Sequence, residues 1–76
     1  MINRNKLKGK MVEMDVSAGA MSEKLNISPV TFYRKTIGES EFTQSEIKKI
    51  AEVLSLTMQE VKDIFFADEL TETQVL

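Results

Sequence analysis

The chain has no cysteine and no histidine. The first absence excludes disulfides and thiolate metal sites, and it fits a reducing compartment. The second removes the commonest general base and the commonest metal ligand. Tryptophan is also missing, and only four Phe and one Tyr supply aromatic surface. Glycine and proline are sparse, at three and one, so a collagen-like or low-complexity chain is excluded. No apolar run approaches the roughly 20 residues of a membrane span. The N-terminal residues are charged and carry no signal-peptide core. A cytoplasmic protein is the expectation.

What remains is 76 residues with 42% hydrophobic content. That suits one small globular domain and is too apolar for a disordered chain. A core this small is marginal, so a partner would add stability. The net charge of −2 hides a dipole. Residues 1–35 hold seven basic and three acidic side chains, whereas residues 36–76 hold three basic and nine acidic. The basic half is the half that a polyanion would meet.

The stretch AGAMSEKLNISPVTFYRK, residues 18–35, sits in that basic half. Its local chemistry predicts two short helices joined by a tight turn. Ser17 caps the first, with Val16 stapling onto its first turn. Asn26 tolerates the left-handed backbone that ends a helix. Ser28 caps the second, and Pro29 stands at its first position, where the missing N–H costs nothing. Ala20, Met21, Leu25, Ile27 and Phe32 point inward on this spacing. Val30, Thr31, Tyr33, Arg34 and Lys35 are left outward. A short second helix with such a face fits the DNA major groove, and the pattern reads as a helix-turn-helix.

The flanking sequence predicts three more helices. Residues 4–14 place Leu7, Met11 and Met14 on one face, with Asn3 or Asn5 as the cap. Gly9 within it costs about 1 kcal/mol relative to Ala, and either permits a close helix approach or is simply tolerated. Lys6, Lys8 and Lys10 are candidates for phosphate or for plain solvation. Residues 36–42 form a loop turned by Gly38, with Ile37 and Phe42 as plugs into the core. Thr43 and Glu46 make a capping box, followed by Ile47, Ile50, Ala51 and Leu54 on one helical face. Thr57 and Glu60 make a second box, opening a helix that sends Val61, Ile64 and Phe65 inward. Residues 67–76 form an acidic, polar tail, expected to be disordered or to fold on a partner. The domain division is therefore 1–66 and 67–76.

No phosphate-binding Gly-rich loop and no G-x-S-x-G elbow is present. The carboxylates fall at caps, on helix surfaces or in the tail. No catalytic residue, metal ligand or cofactor is assigned, and an enzyme is not expected.

With its five helices and the motif as the second and third, residues 7–66 resemble the Cro/C1-type (XRE) family of phage repressors and their bacterial relatives. Residues 21–56 carry the most specific likeness. The family pattern is matched by Met21-Ser22-x-x-Leu25, the Asn26-Ile27-Ser28 turn, the helix from Pro29 to Lys35, and the closing IAEVLSL of the capped helix. Two positions depart from it. Ala18, followed by Gly19 and Ala20, stands where many members place a phosphate-binding Gln. Pro29-Val30 stands where several place base-reading Gln or Ser. The resemblance implies an all-α, five-helix, lambda-repressor-like DNA-binding domain.

On that geometry Val30, Thr31 and Arg34 reach base edges, with Arg34 suited to guanine O6 and N7 and Val30 to a thymine methyl. Tyr33 and Lys35 flank them toward phosphate. Ser17 and Ser28 cap helices whose N–H groups face phosphate. Thr36, Gly38 and Ser40 lie along the backbone, opposed by Glu39 and Glu41. One motif gives too few contacts for useful specificity, so a homodimer on a double-stranded operator is expected. Phe66, Val75 and Leu76 are the candidates for a dimer or partner contact. The leading reading is a transcription regulator of phage or prophage type that blocks a promoter. The alternative is an antirepressor or modulator that binds a partner repressor protein, and an antitoxin is less favoured. No membrane and no small-molecule ligand is implied.

Overall fold

The computed structural model describes residues 2–67; Met1 and residues 68–76, which include Val75 and Leu76, lie outside the described residues. Within them the chain forms five α-helices and no strand. They are α1 (Arg4–Glu13), α2 (Ala18–Leu25), α3 (Pro29–Thr36), α4 (Gln44–Leu54) and α5 (Met58–Phe65). None of these helices is long and apolar enough to cross a membrane.

Each helix starts on a side-chain cap. Asn3, Ser17, Ser28, Thr43 and Thr57 each accept a hydrogen bond from the backbone N–H three residues on. At Thr43 and Thr57 the box is complete, because Glu46 and Glu60 accept in return from the cap N–H at 2.8 and 2.9 Å. Asn3 is the cap of α1 that the sequence left open against Asn5.

The helix ends follow one rule. Asp15, Asn26, Gly38 and Ser55 have positive φ. In each case the next N–H reaches back five residues: Val16 to Met11, Ile27 to Ser22, Glu39 to Arg34 and Leu56 to Ala51. This left-handed stop satisfies carbonyls that the helix leaves open. Three of the four residues that follow it, Val16, Ile27 and Leu56, then pack against the core. Of the four, the sequence singled out Asn26 and Gly38. Asp15 and Ser55 were missed because Ser is not a usual residue for that conformation, and Asp, though it tolerates it, does not by itself mark a stop.

Every helix contributes to one core. Leu7, Met21, Ile50, Leu54 and Ile64 are fully buried, with Met11 and Phe32 nearly so. Met14 was expected beside Leu7 and Met11, but it is 40% exposed. The helix stops at Glu13, and the left-handed turn at Asp15 takes the chain off that face. Ile37 also fails to plug the core; it is the C-cap of α3 and remains exposed. Phe42 does plug it. Its ring lies edge-on between Phe32 and Phe65, at centroid distances of 5.8 and 5.7 Å. The loop between α3 and α4 is thereby fastened to α3 and α5 together.

Helix α1 closes the fold against α5. The Asn3 N–H donates to the Ile64 carbonyl at 2.6 Å. Lys6 Nζ pairs with Asp63 at 2.9 Å and Lys10 Nζ with Glu60 at 3.0 Å. A Cβ added at Gly9 would meet nothing within 4 Å, so this glycine permits no close approach and is merely tolerated.

Two variants test this packing. Gly9→Ala is expected to raise stability by about 0.5–1 kcal/mol in urea denaturation, because it gains helix propensity and meets no neighbour. Phe42→Ala is expected to cost about 2–3 kcal/mol, below the range for a fully buried Phe because Phe42 is only half-buried. An unchanged urea midpoint for Phe42→Ala would show that the aromatic bridge is not holding the loop.

Candidate nucleic-acid interface

Helix α3 turns one face outward. Val30 is 59% exposed and Tyr33 53%, and Arg34 and Ile37 are exposed beside them. Spacings of three, four and seven residues put these four on one stripe. The opposite side carries Phe32 and Thr36, both buried. No acidic residue lies on α3. Arg34 takes part in no ion pair among the described residues, so its planar donor fork faces solvent.

The other residues expected at this surface are placed differently. Thr31 is half-buried against the N-cap. Its N–H donates to Ser28 Oγ at 3.1 Å, and its hydroxyl accepts from Ser28 Oγ at 2.9 Å. Thr36 was expected along a phosphate backbone, but it is buried and its Oγ1 donates to the Tyr33 carbonyl at 2.7 Å. Its side chain therefore has no outward reach. Lys35 was expected toward phosphate as well. Its Nζ instead meets Glu46 at 2.6 Å, and both side chains are only 12% exposed. That pair ties the end of α3 to the start of α4. Ser17 and Ser28 lie exposed at the first turns of α2 and α3, where their hydroxyls are engaged as caps. Ser40 is exposed in the loop after Gly38. Phe66 is 39% exposed just past α5, next to the half-buried Phe65.

Sequence reasoning missed Arg4 as a member of this surface. Its guanidinium lies 5.6 Å from the centroid of the Tyr33 ring, a cation–π distance. It brings the first turn of α1 beside the outward stripe of α3. Between α1, the start of α2 and α3 runs a groove of about 350 Å³. Buried Leu7, Met11 and Phe32 contribute to its wall, and Arg4, Lys8 and Tyr33 are among its exposed members. Among the described residues, no carboxylate lines it. A signal for Arg4 existed in the four-residue spacing to Lys8, but only tertiary packing joins that face to α3.

Three carboxylates outside the groove, Glu46 in the first turn of α4 and Glu60 and Asp63 on α5, have their titration set by contacts of the fold. Burial pushes the Glu46 carboxyl up, but the Lys35 ammonium and the Thr43 N–H outweigh it and hold the group below its ordinary value. Glu60 is held low by the Thr57 N–H and by Lys10. Asp63 is held low by Lys6 and Gln59. Among the described residues, no group of three or more acidic side chains is arranged to hold a metal ion.

Comparison of the chain with protein-family models, with curated proteins and with solved structures gives no match.

The three depressed carboxylates set a pH dependence of one sign. Their stabilisation is complete above the ordinary carboxylate pKa of about 4 and is lost as pH falls through the lower folded values. Thermal melts between pH 7 and pH 2 are expected to show a flat region and then a fall beginning near pH 4. Glu46→Gln is expected to lower stability at pH 7 and to make the acid fall shallower. A fall of equal steepness in Glu46→Gln would remove the Lys35–Glu46 pair from the account.

Proposed function

We propose that this chain is a sequence-specific DNA-binding transcription regulator of phage or prophage type, which blocks a promoter as a dimer. The arrangement proposed is lambda-repressor-like, with α2 and α3 as the helix-turn-helix and α3 as the reading helix. One observation carries the proposal: the outward stripe of α3 presents Val30, Tyr33 and an Arg34 without an ion pair among the described residues, with no acidic side chain on that helix. A helix of eight residues capped by Ser28 fits a major groove with its first turn and a half. In that pose Arg34 takes a guanine edge bidentately, and Val30 makes apolar contact. Thr31 keeps its own hydroxyl proton for a base or backbone acceptor. The exposed Ser17 and Ser28 lie where two helix N-termini offer N–H groups to phosphate. Lys35 and Thr36 are left out of the contact set because their side chains are engaged internally.

A second reading rests on exposed apolar side chains of the last helix. Met58 and Phe66, at the two ends of α5, are 73% and 39% exposed. Exposed apolar side chains of this kind suit a protein contact. It is the dimer contact in the first reading. In the second it is the docking point of a modulator that acts on a partner repressor protein and binds DNA weakly or not at all.

Fluorescence anisotropy with the gene's own upstream duplex and a scrambled duplex, across a salt series, separates the two. The regulator is expected to prefer the upstream duplex, with affinity falling steeply as salt rises. Arg34→Ala is expected to weaken specific binding by about 1–3 kcal/mol and to relax preference at one base pair. Parental affinity in Arg34→Ala would remove the readout role, and a folded protein that shifts neither duplex would favour the modulator.

A further inference from the structure

The α1 helix carries four cations, and the fold divides them. Lys6 and Lys10 face α5, where Asp63 and Glu60 neutralise them at 2.9 and 3.0 Å. Arg4 and Lys8 form no ion pair among the described residues. They lie on the side of α1 that borders α3, and both line the groove. Among the described residues, no carboxylate shares that groove with them. Four residues apart, they sit one helical turn from each other, with Cβ atoms about 5–6 Å apart. Arg4 is held over the Tyr33 ring, one residue from Arg34. At the start of α2, Ala18 and Gly19 offer no side chain longer than a methyl group, and the Ser17 hydroxyl is committed to its cap. The neighbouring helix thus leaves the long cationic side chains to α1.

We infer that Arg4 and Lys8 are DNA phosphate-binding residues, which extend the contact surface of α3 across the groove onto α1. This rests on the DNA-binding reading above and deepens it. The two side chains take successive phosphates of one strand. Tyr33 acts as a positioning residue, with its ring face orienting the Arg4 guanidinium. Phosphate contacts carry no sequence information, so the pair adds affinity equally to every duplex. An acidic protein segment in the same groove is the competing occupant. The continuity of Arg4 with Tyr33 and Arg34 favours DNA, because one rigid duplex can meet all three.

The test compares the parent, Arg4→Ala/Lys8→Ala and Lys6→Ala by anisotropy on the upstream and scrambled duplexes, with affinity recorded against salt. Each lost phosphate contact is expected to reduce the slope of log affinity against log salt by about 0.9. The double variant is therefore expected to lose a slope of nearly 2 and to weaken on both duplexes by the same factor. Its melting temperature should stay near that of the parent, because both side chains are exposed and make no ion pair among the described residues. Lys6→Ala is expected to do the reverse, lowering the melting temperature and leaving the slope unchanged. A double variant with the parental slope, while the parent binds, overturns the inference alone. A parent that binds neither duplex overturns the DNA reading and this inference with it. Loss of preference for the upstream duplex in the double variant also overturns it, since phosphate contacts do not discriminate.

Discussion

None of the five helices is long enough to stand alone. They run from eight to eleven residues, below the 12 to 15 or so at which even favourable isolated helices become marginal in water. Each helix therefore depends on a side chain at its start, and four of them depend also on a left-handed residue near their end. The caps fix where each helix begins. The stops fix where the chain turns, and the residue after the stop is most often the next apolar group of the core. Local closure and burial are thus joined within the same few residues. The face of α3 that remains outside is set by this logic, since Phe32 and Thr36 must go in.

This explains what the sequence shows and what it hides. Helix starts are legible because a cap acts over three residues: Ser17, Ser28, and the Thr43–Glu46 and Thr57–Glu60 boxes all stand where their pattern predicts. The buried residues at regular spacing, Leu7, Met11, Ile50 and Leu54, are legible for the same reason. Met14 and Ile37 are misread because periodicity does not say where a helix stops. The stop at Ser55 uses a residue that carries a cost in that backbone conformation, and the stop at Asp15 one that serves other local roles as well, so composition does not advertise them. The arrangement of the candidate surface is the least legible. Lys35 is drawn away by Glu46, a residue on another helix, whereas Arg4 is brought in by Tyr33. Both depend on packing between segments distant in sequence.

Charge is partitioned by the same packing. Four cations on one short helix look alike along the chain, yet two are neutralised by α5 and two are left on the side of α3. The overall charge of −2 is thus a poor guide to either face. Ion pairs along α1 and α5 concentrate the acidic groups where they meet lysines. The groove beside α3 is left with cations and, among the described residues, no carboxylate.

The bond from Asn3 to Ile64 has a consequence for how the chain is made. Helix α1 leaves the ribosome before its neighbours on α5; Lys6 and Asp63 stand 57 positions apart. Until α5 emerges, Leu7 and Met11 lack part of their cover, and Lys6 and Lys10 have no partner on α5. The opening helix must wait for the closing one. Folding of this small domain is then completed only when α5 is free to meet α1.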